Sequence, residues 1–181
     1  MTVHEIVAYP APVLLQKAAA VTEAEFGPSL LALISDMAET MYVSNGIGLA
    51  APQIQISKRI LVIDVEWPDR EDSNLYAIIN PEIVDAKGEI VFEEGCLSFP
   101  DLTVPVQRHA ELTLRAQDPS GKPFEIQADG LLSICIQHEM DHLDGITLVD
   151  RARGDHRVEL IRQLKEQPWF LPELLPPDVS L

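Results

Sequence analysis

Leu131-Leu132-Ser133-Ile134-Cys135-Ile136-Gln137-His138-Glu139-Met140-Asp141-His142 is the stretch on which the fold turns. It reads as a helix, with Asp129 at the capping position before it and Asp144-Gly145 as its stop. At 3.6 residues per turn, His138 and His142 share one face, about one turn apart. Two imidazoles so placed can hold one divalent metal, and Glu139 then lies beside it, where it can work on a bound water. This helix is the expected centre of the molecule.

Outside it the periodicity changes. Gly27-Pro28 opens an earlier helix, Pro28 to Val43, with Leu30, Leu31, Ile34, Met37, Ala38 and Met41 as its apolar stripe. Asn45-Gly46 ends it, and Gly46 to Gln53 reads as a loop of small residues. Strands are expected at Arg59 to Val65 and Leu75 to Asn80, where β-branched and aliphatic residues concentrate. Glu82 to Asp85 and Glu89 to Phe92 flank an Ala86-Lys87-Gly88 turn. Val104 to Gln117 and Lys122 to Ala128 flank Asp118-Pro119-Ser120-Gly121, a strong turn signal. A last helix covers about Asp155 to Gln167. The pattern predicts a single α+β domain over residues 1–167, with antiparallel strands packed around the central helix and helices towards both ends. Residues 168–181 form a proline-rich tail.

Composition narrows the function classes. The chain has 181 residues, 46% hydrophobic and 23% charged, as expected for one globular domain with a sizeable core. A net charge of −16 argues against nucleic acid or an anionic membrane as a direct partner. No apolar run approaches the roughly 18 residues of a membrane span. Met1-Thr2-Val3-His4-Glu5 lacks the basic and apolar segments of a secretory signal, so a cytoplasmic protein is expected.

Two histidines need a further protein ligand to make a site with an open position. Glu159 and Glu166 lie downstream in a charged helix that reads as a solvated face. A third histidine six residues after the second fails, because that position is Leu148. Cys96 and Cys135 are left. Cys96 follows Gly95 at the end of a strand, where the backbone can turn sharply. Cys135 faces roughly the same way as the histidines, but among Ile134 and Ile136, where a small buried apolar residue is expected. Helix geometry favours Cys96 without excluding its rival.

Three blocks in order now carry a resemblance: Gly46-Ile47-Gly48-Leu49-Ala50-Ala51-Pro52-Gln53, Glu94-Gly95-Cys96-Leu97-Ser98 and Gln137-His138-Glu139-Met140-Asp141-His142. With these blocks and their spacing, the chain resembles the bacterial peptide deformylases over roughly residues 3 to 151. The resemblance implies an amidohydrolase that removes formyl from the N-terminal formylmethionine of nascent polypeptides and releases formate. It implies Cys96, His138 and His142 as ligands of one Fe²⁺ per chain, with Zn²⁺, Ni²⁺ or Co²⁺ able to substitute. A divalent ion makes hydroxide available near neutral pH for attack on the formyl carbonyl. Glu139 is then the general base and acid, and the Gln53 amide and Leu97 backbone N–H stabilise the oxyanion. Ile47, Gly48, Leu131, Ile134 and Cys135 are expected to receive the substrate, which makes Cys135 a pocket wall. Glu94 and Arg108 are expected as a salt bridge that holds the cysteine loop. Some deformylases have Arg where this chain has Thr103, so sequence preference beyond the first residue is expected to differ. A transient ribosome contact is the expected use of the last helix, although its basic residues are interleaved with acids.

Overall fold

The computed structural model describes residues 1–67 and 74–177. Helix α1 spans Pro28–Val43. Seven strands follow: β1 Gly48–Ala50, β2 Ile60–Ile63, β3 Tyr76–Lys87, β4 Ile90–Cys96, β5 Phe99–Arg108, β6 Glu111–Gln117 and β7 Pro123–Asp129. Three helices end the chain: α2 Gly130–Leu143, α3 Leu148–Arg151 and α4 Gly154–Lys165. Five strands form an antiparallel sheet in the order β1-β2-β3-β6-β7, and β4 pairs with β5 in a separate two-stranded ribbon. The α+β reading holds, with α2 at the centre.

Every residue of β2 is buried, because the sheet is covered on both faces there. Leu61 and Ile63 join Ile136 and Leu143 of α2 in one core. Ile60 and Val62 point the other way and join Ile34, Met37 and Met41 of α1 in a second. Strand alternation thus sorts one strand between two helices. Leu31 departs from the expected stripe of α1, being 52% exposed on the opposite side. A third core packs β5 residues Phe99, Val104 and Val106 against Leu148, Leu160 and Leu164 of the last helices.

Strand boundaries depart from the sequence pattern in three places. Leu75 to Asn80 and Glu82 to Asp85 are one strand, β3, which switches partner from β2 to β6. Its register slips between Ile79 and Glu82, at Pro81, which has no N–H to donate. Asn80 takes a positive φ there, and its side chain bonds the backbone of Val21 and the Gln117 side chain. Val104 to Gln117 is two strands, broken at His109-Ala110 where the chain leaves the ribbon for the sheet. The segment after Gly46 contains β1 and a 3-10 turn, Ala51–Ile54. Asp129 occupies the capping position of α2, but its side chain makes no capping bond. The tail includes Phe170, buried and stacked on Tyr9 at 6.3 Å, and its last four residues lie outside the described ones.

Candidate active site

Helix α2 carries His138, Glu139 and His142, and the β4–β5 ribbon brings Cys96 to them. The ribbon turns within Leu97-Ser98, and its register slips between Gly95 and Cys96. That slip carries the thiol forward; Gly95 itself has no positive φ. Cys96 Sγ lies 3.2 Å from His142 Nε2. One donor atom each from Cys96, His138 and His142 lies within 4.8 Å of the others. Cys135 is not in this group; it is buried, and its Sγ is 3.8 Å from the carbonyl oxygen of Ile47.

His138 is aimed by a carboxylate, whereas His142 Nδ1 is buried without a partner among the described residues. Glu94 Oε2 lies 2.8 Å from His138 Nδ1. An ionised carboxylate can only accept, so Nδ1 is the donor, and Nε2 is left to face the cysteine. Burial alone would raise the Glu94 carboxyl, but hydrogen bonds from Arg108 and His138 outweigh it and hold it at about 2. Arg108 is buried and grips both Glu94 oxygens, at 2.7 and 2.9 Å. The ion pair expected from sequence is therefore present, and buried.

The two imidazoles are pushed in opposite directions. Burial lowers His142, and His138 and Arg108 add to the effect. Burial also acts to lower His138, but Cys96, Glu94 and Glu139 together raise it well above the ordinary range. Cys96, Glu94 and Glu139 thus place negative charge around His138, and three ligand atoms within 4.8 Å of one another fit a cation. A soft sulfur and two nitrogens suit Fe²⁺, Zn²⁺ and related ions over Mg²⁺ or Ca²⁺.

Glu139 is buried, and its Oε2 has no hydrogen-bond partner among the described residues. Burial pushes its carboxyl up to about 7, against the pull of His138. The backbone of Gly48 packs directly on it. A Cβ at that position would come within 2.5 Å of Glu139 Oε1 and 2.7 Å of Cys135 Sγ. Gln53 is 1% exposed on its 3-10 turn. Its Oε1 accepts from Ala50 N–H at 2.9 Å, which directs its amide nitrogen towards Ser98 Oγ (3.2 Å) and Cys96 Sγ (3.7 Å). These groups open into a cavity of about 600 Å³, lined by Ile47, Gly48, Leu97, Leu131, Ile134 and Cys135 among others. All five expected substrate residues lie on its wall.

A match to the polypeptide deformylase family model spans residues 3–158. The chain belongs to that family. A peptide deformylase from Thermodesulfovibrio yellowstonii is 47% identical over 163 residues, 90% of this chain and 96% of that protein. One from Syntrophobacter fumaroxidans is 48% identical over 169 residues, 93% of this chain and 95% of that protein. Among solved structures, a peptide deformylase from Synechococcus elongatus in complex with actinonin matches with a TM-score of 0.85 and 38% identity, covering 95% of this chain and 91% of that one. Polypeptide deformylases are metal-dependent enzymes that act on nascent peptides, and the Cys-His-His group is where this member could hold its metal.

Four features of the site escaped the sequence. Ser98 accepts from the Gln53 amide. Phe92 and Leu102 line the cavity. Asp141 accepts from Arg108 at 2.6 Å and from Arg151. The N-terminal segment clasps both loops: Val7 N–H donates to the Gln53 carbonyl and Tyr9 N–H to the Ser98 carbonyl, each at 2.9 Å. Those last bonds use only backbone, which leaves no mark on residue choice.

Proposed function

We propose that this chain removes the formyl group from N-formylmethionyl nascent peptides in the cytoplasm, using one Fe²⁺ held by Cys96, His138 and His142. Zn²⁺, Ni²⁺ or Co²⁺ would substitute in the same donor set. The observation that carries the reading is the meeting of those three side chains with the buried Glu139 at the wall of an apolar cavity. When bound, a divalent ion there lowers the pKa of water and polarises a carbonyl.

The chain's own residues do the rest. Ile47, Leu131, Ile134 and Cys135 offer an apolar wall for the methionine side chain, and Gly48 lets the substrate backbone come close. Water adds to the formyl carbon, and Glu139 takes its proton. The Gln53 amide and the Leu97 N–H donate to the oxygen that gains charge. Glu139 then delivers the proton to the amine as the carbon–nitrogen bond breaks, and formate leaves. Glu94 and Arg108 keep the His138 ring in place throughout. Thr103, exposed and bonded to Glu93, leaves the cavity rim without an arginine, so preference at the second and third substrate residues should differ from that of arginine-bearing relatives. The approach to nascent chains is a transient ribosome contact through α4, with no direct nucleic-acid specificity. Among the described residues no helix is long and apolar enough to cross a membrane.

The test is formate release from a formyl-Met-Ala-Ser peptide by protein prepared anaerobically with Fe²⁺. Release from it, and none from the acetylated peptide, is expected. No release from protein shown to hold one metal ion would overturn the proposal.

A further inference from the structure

Behind the active site runs a line of alternating charges. Glu94, on β4, holds His138 Nδ1 at 2.8 Å. Arg108, on β5, grips both oxygens of Glu94 and reaches Asp141 with its remaining nitrogen, at 2.6 Å. Asp141 lies on α2 between the two histidines, and its other partner is Arg151, at the end of α3. Arg151 Nε is 2.8 Å from Asp141 Oδ2, and its Nη2 bonds Oδ1. The first three members are nearly closed to water, whereas the Arg151 side chain is 37% exposed. Its placement is secured locally: Thr147 N–H and Oγ1 both donate to Asp150 Oδ2 at 2.8 Å, which opens α3 one turn earlier.

We infer that Arg151 is a positioning residue for the metal site, acting through Asp141, Arg108 and Glu94 on the orientation of His138. This rests on the reading of Cys96, His138 and His142 as metal ligands. The physical reason is a charge count. Two carboxylates and two guanidinium groups balance. Without Arg151, Arg108 is the one guanidinium left for two buried carboxylates, Glu94 keeping His138 as its other partner. Asp141 then draws Arg108 towards itself, and Glu94 loses part of the grip that holds it against His138. Partners that orient a ligating histidine in this way are worth about 10- to 100-fold in metal affinity.

A cavity of about 440 Å³ gives access to this line from behind. Arg108, Gln137, Met140, Asp141 and Arg151 line it, and it shares no lining residue with the active-site cavity. Arg153 lines it too, but its guanidinium donates to the Asp150 carbonyl at 2.8 Å and takes no part in the line. It is the matched control for loss of one positive charge.

The experiment measures Co²⁺ affinity of the metal-free full chain by competition with a chelator, together with the visible bands of bound Co²⁺. Arg151→Met, which keeps the apolar stem, should bind about tenfold more weakly and shift the bands. Arg151→Lys keeps the charge but replaces the planar two-nitrogen fork with a single nitrogen, so a smaller loss in the same direction is expected. Arg153→Met should match wild type. Guanidinium ion added to Arg151→Met should enter the rear cavity and restore part of the affinity. If both Arg151 variants bind Co²⁺ within twofold of wild type and with its spectrum, the inference is overturned, and equal losses in Arg153→Met would overturn it as well. Wild type that binds no Co²⁺ would instead remove the ligand assignment beneath it.

Discussion

Arg108 and Arg162 each clamp two carboxylates, at distances between 2.6 and 2.9 Å. Arg108 holds Glu94 and Asp141 with 3% of its side chain exposed. Arg162 holds Glu159 and Glu166 along α4 with 56% exposed. Bond length therefore says nothing about what either clamp does. Around Arg108 water is excluded, so removing one partner strands charges that nothing else can solvate. Around Arg162 water and salt take over whatever is lost. The buried clamp touches a proposed metal ligand and the exposed one decorates a helix.

The comparison can be broken where its consequences are largest. Glu139, enclosed beside the buried clamp, is the proposed proton carrier. Glu139→Ala should lower formate release by about 10²- to 10⁴-fold, while metal analysis still finds one ion. Undiminished turnover would remove Glu139 from the mechanism.

Next come the clamps themselves. Arg108→Met should cost about 3–5 kcal/mol of stability, the usual result of stranding buried charge. Arg162→Met should leave the denaturation midpoint where it is. Equal midpoints for the two variants would mean that burial is not what separates them.

A smaller effect tests the packing on Glu139. Gly48→Ala puts a methyl against Glu139 Oε1 and Cys135 Sγ, and overpacking of this kind costs about 1–3 kcal/mol. The metal ligands are untouched, so turnover should fall more than metal content.

The smallest prediction carries the contrast to an uncharged group. Tyr9 is 2% exposed and stacked on Phe99 at 4.8 Å. Burial, with Asp150 adding to it, raises its hydroxyl to about 12. The folded state therefore holds this proton more tightly than the unfolded chain. That stabilisation is complete below about pH 10, the ordinary value, and is lost as pH rises through about 12. Its size is on the order of 2 kcal/mol. Thermal melts between pH 9 and 12 should fall less steeply for Tyr9→Phe than for wild type, and parallel curves would count against the shift.

Much of the site was legible because its parts are short and local. The His138–His142 spacing is a property of one helix, and the block from Gly46 to Gln53 was recognisable as a unit, although its β1 strand and 3-10 turn were not. The strand errors share a cause. Pro81 and His109-Ala110 mark places where the chain changes partner, and pairing partners lie far away in sequence. The partners of Asp141 were not legible, because nothing within a turn of it shows that Arg108, 33 residues earlier, lies against it. The Val7 and Tyr9 clasp was invisible for a different reason: every residue but proline has the same backbone donor.

By itself the sequence determined that α2 forms and that two imidazoles and a carboxylate share one turn of it, since helical periodicity depends on neighbours three and four residues apart. It also determined the unbroken apolar run, Ile60 to Ile63, that lets β2 be buried on both faces. Tertiary structure decided which thiol lies beside those imidazoles. Cys135 is nearer in sequence, yet its turn of the helix faces Ile47 and Gly48, whereas a register slip in a ribbon delivers Cys96 from 46 residues before His142. It decided, too, that Glu94, Arg108, Asp141 and Arg151 form one line. Charges buried together need each other at hydrogen-bond distance, and only the packed chain brings two strands and two helices close enough to meet that need.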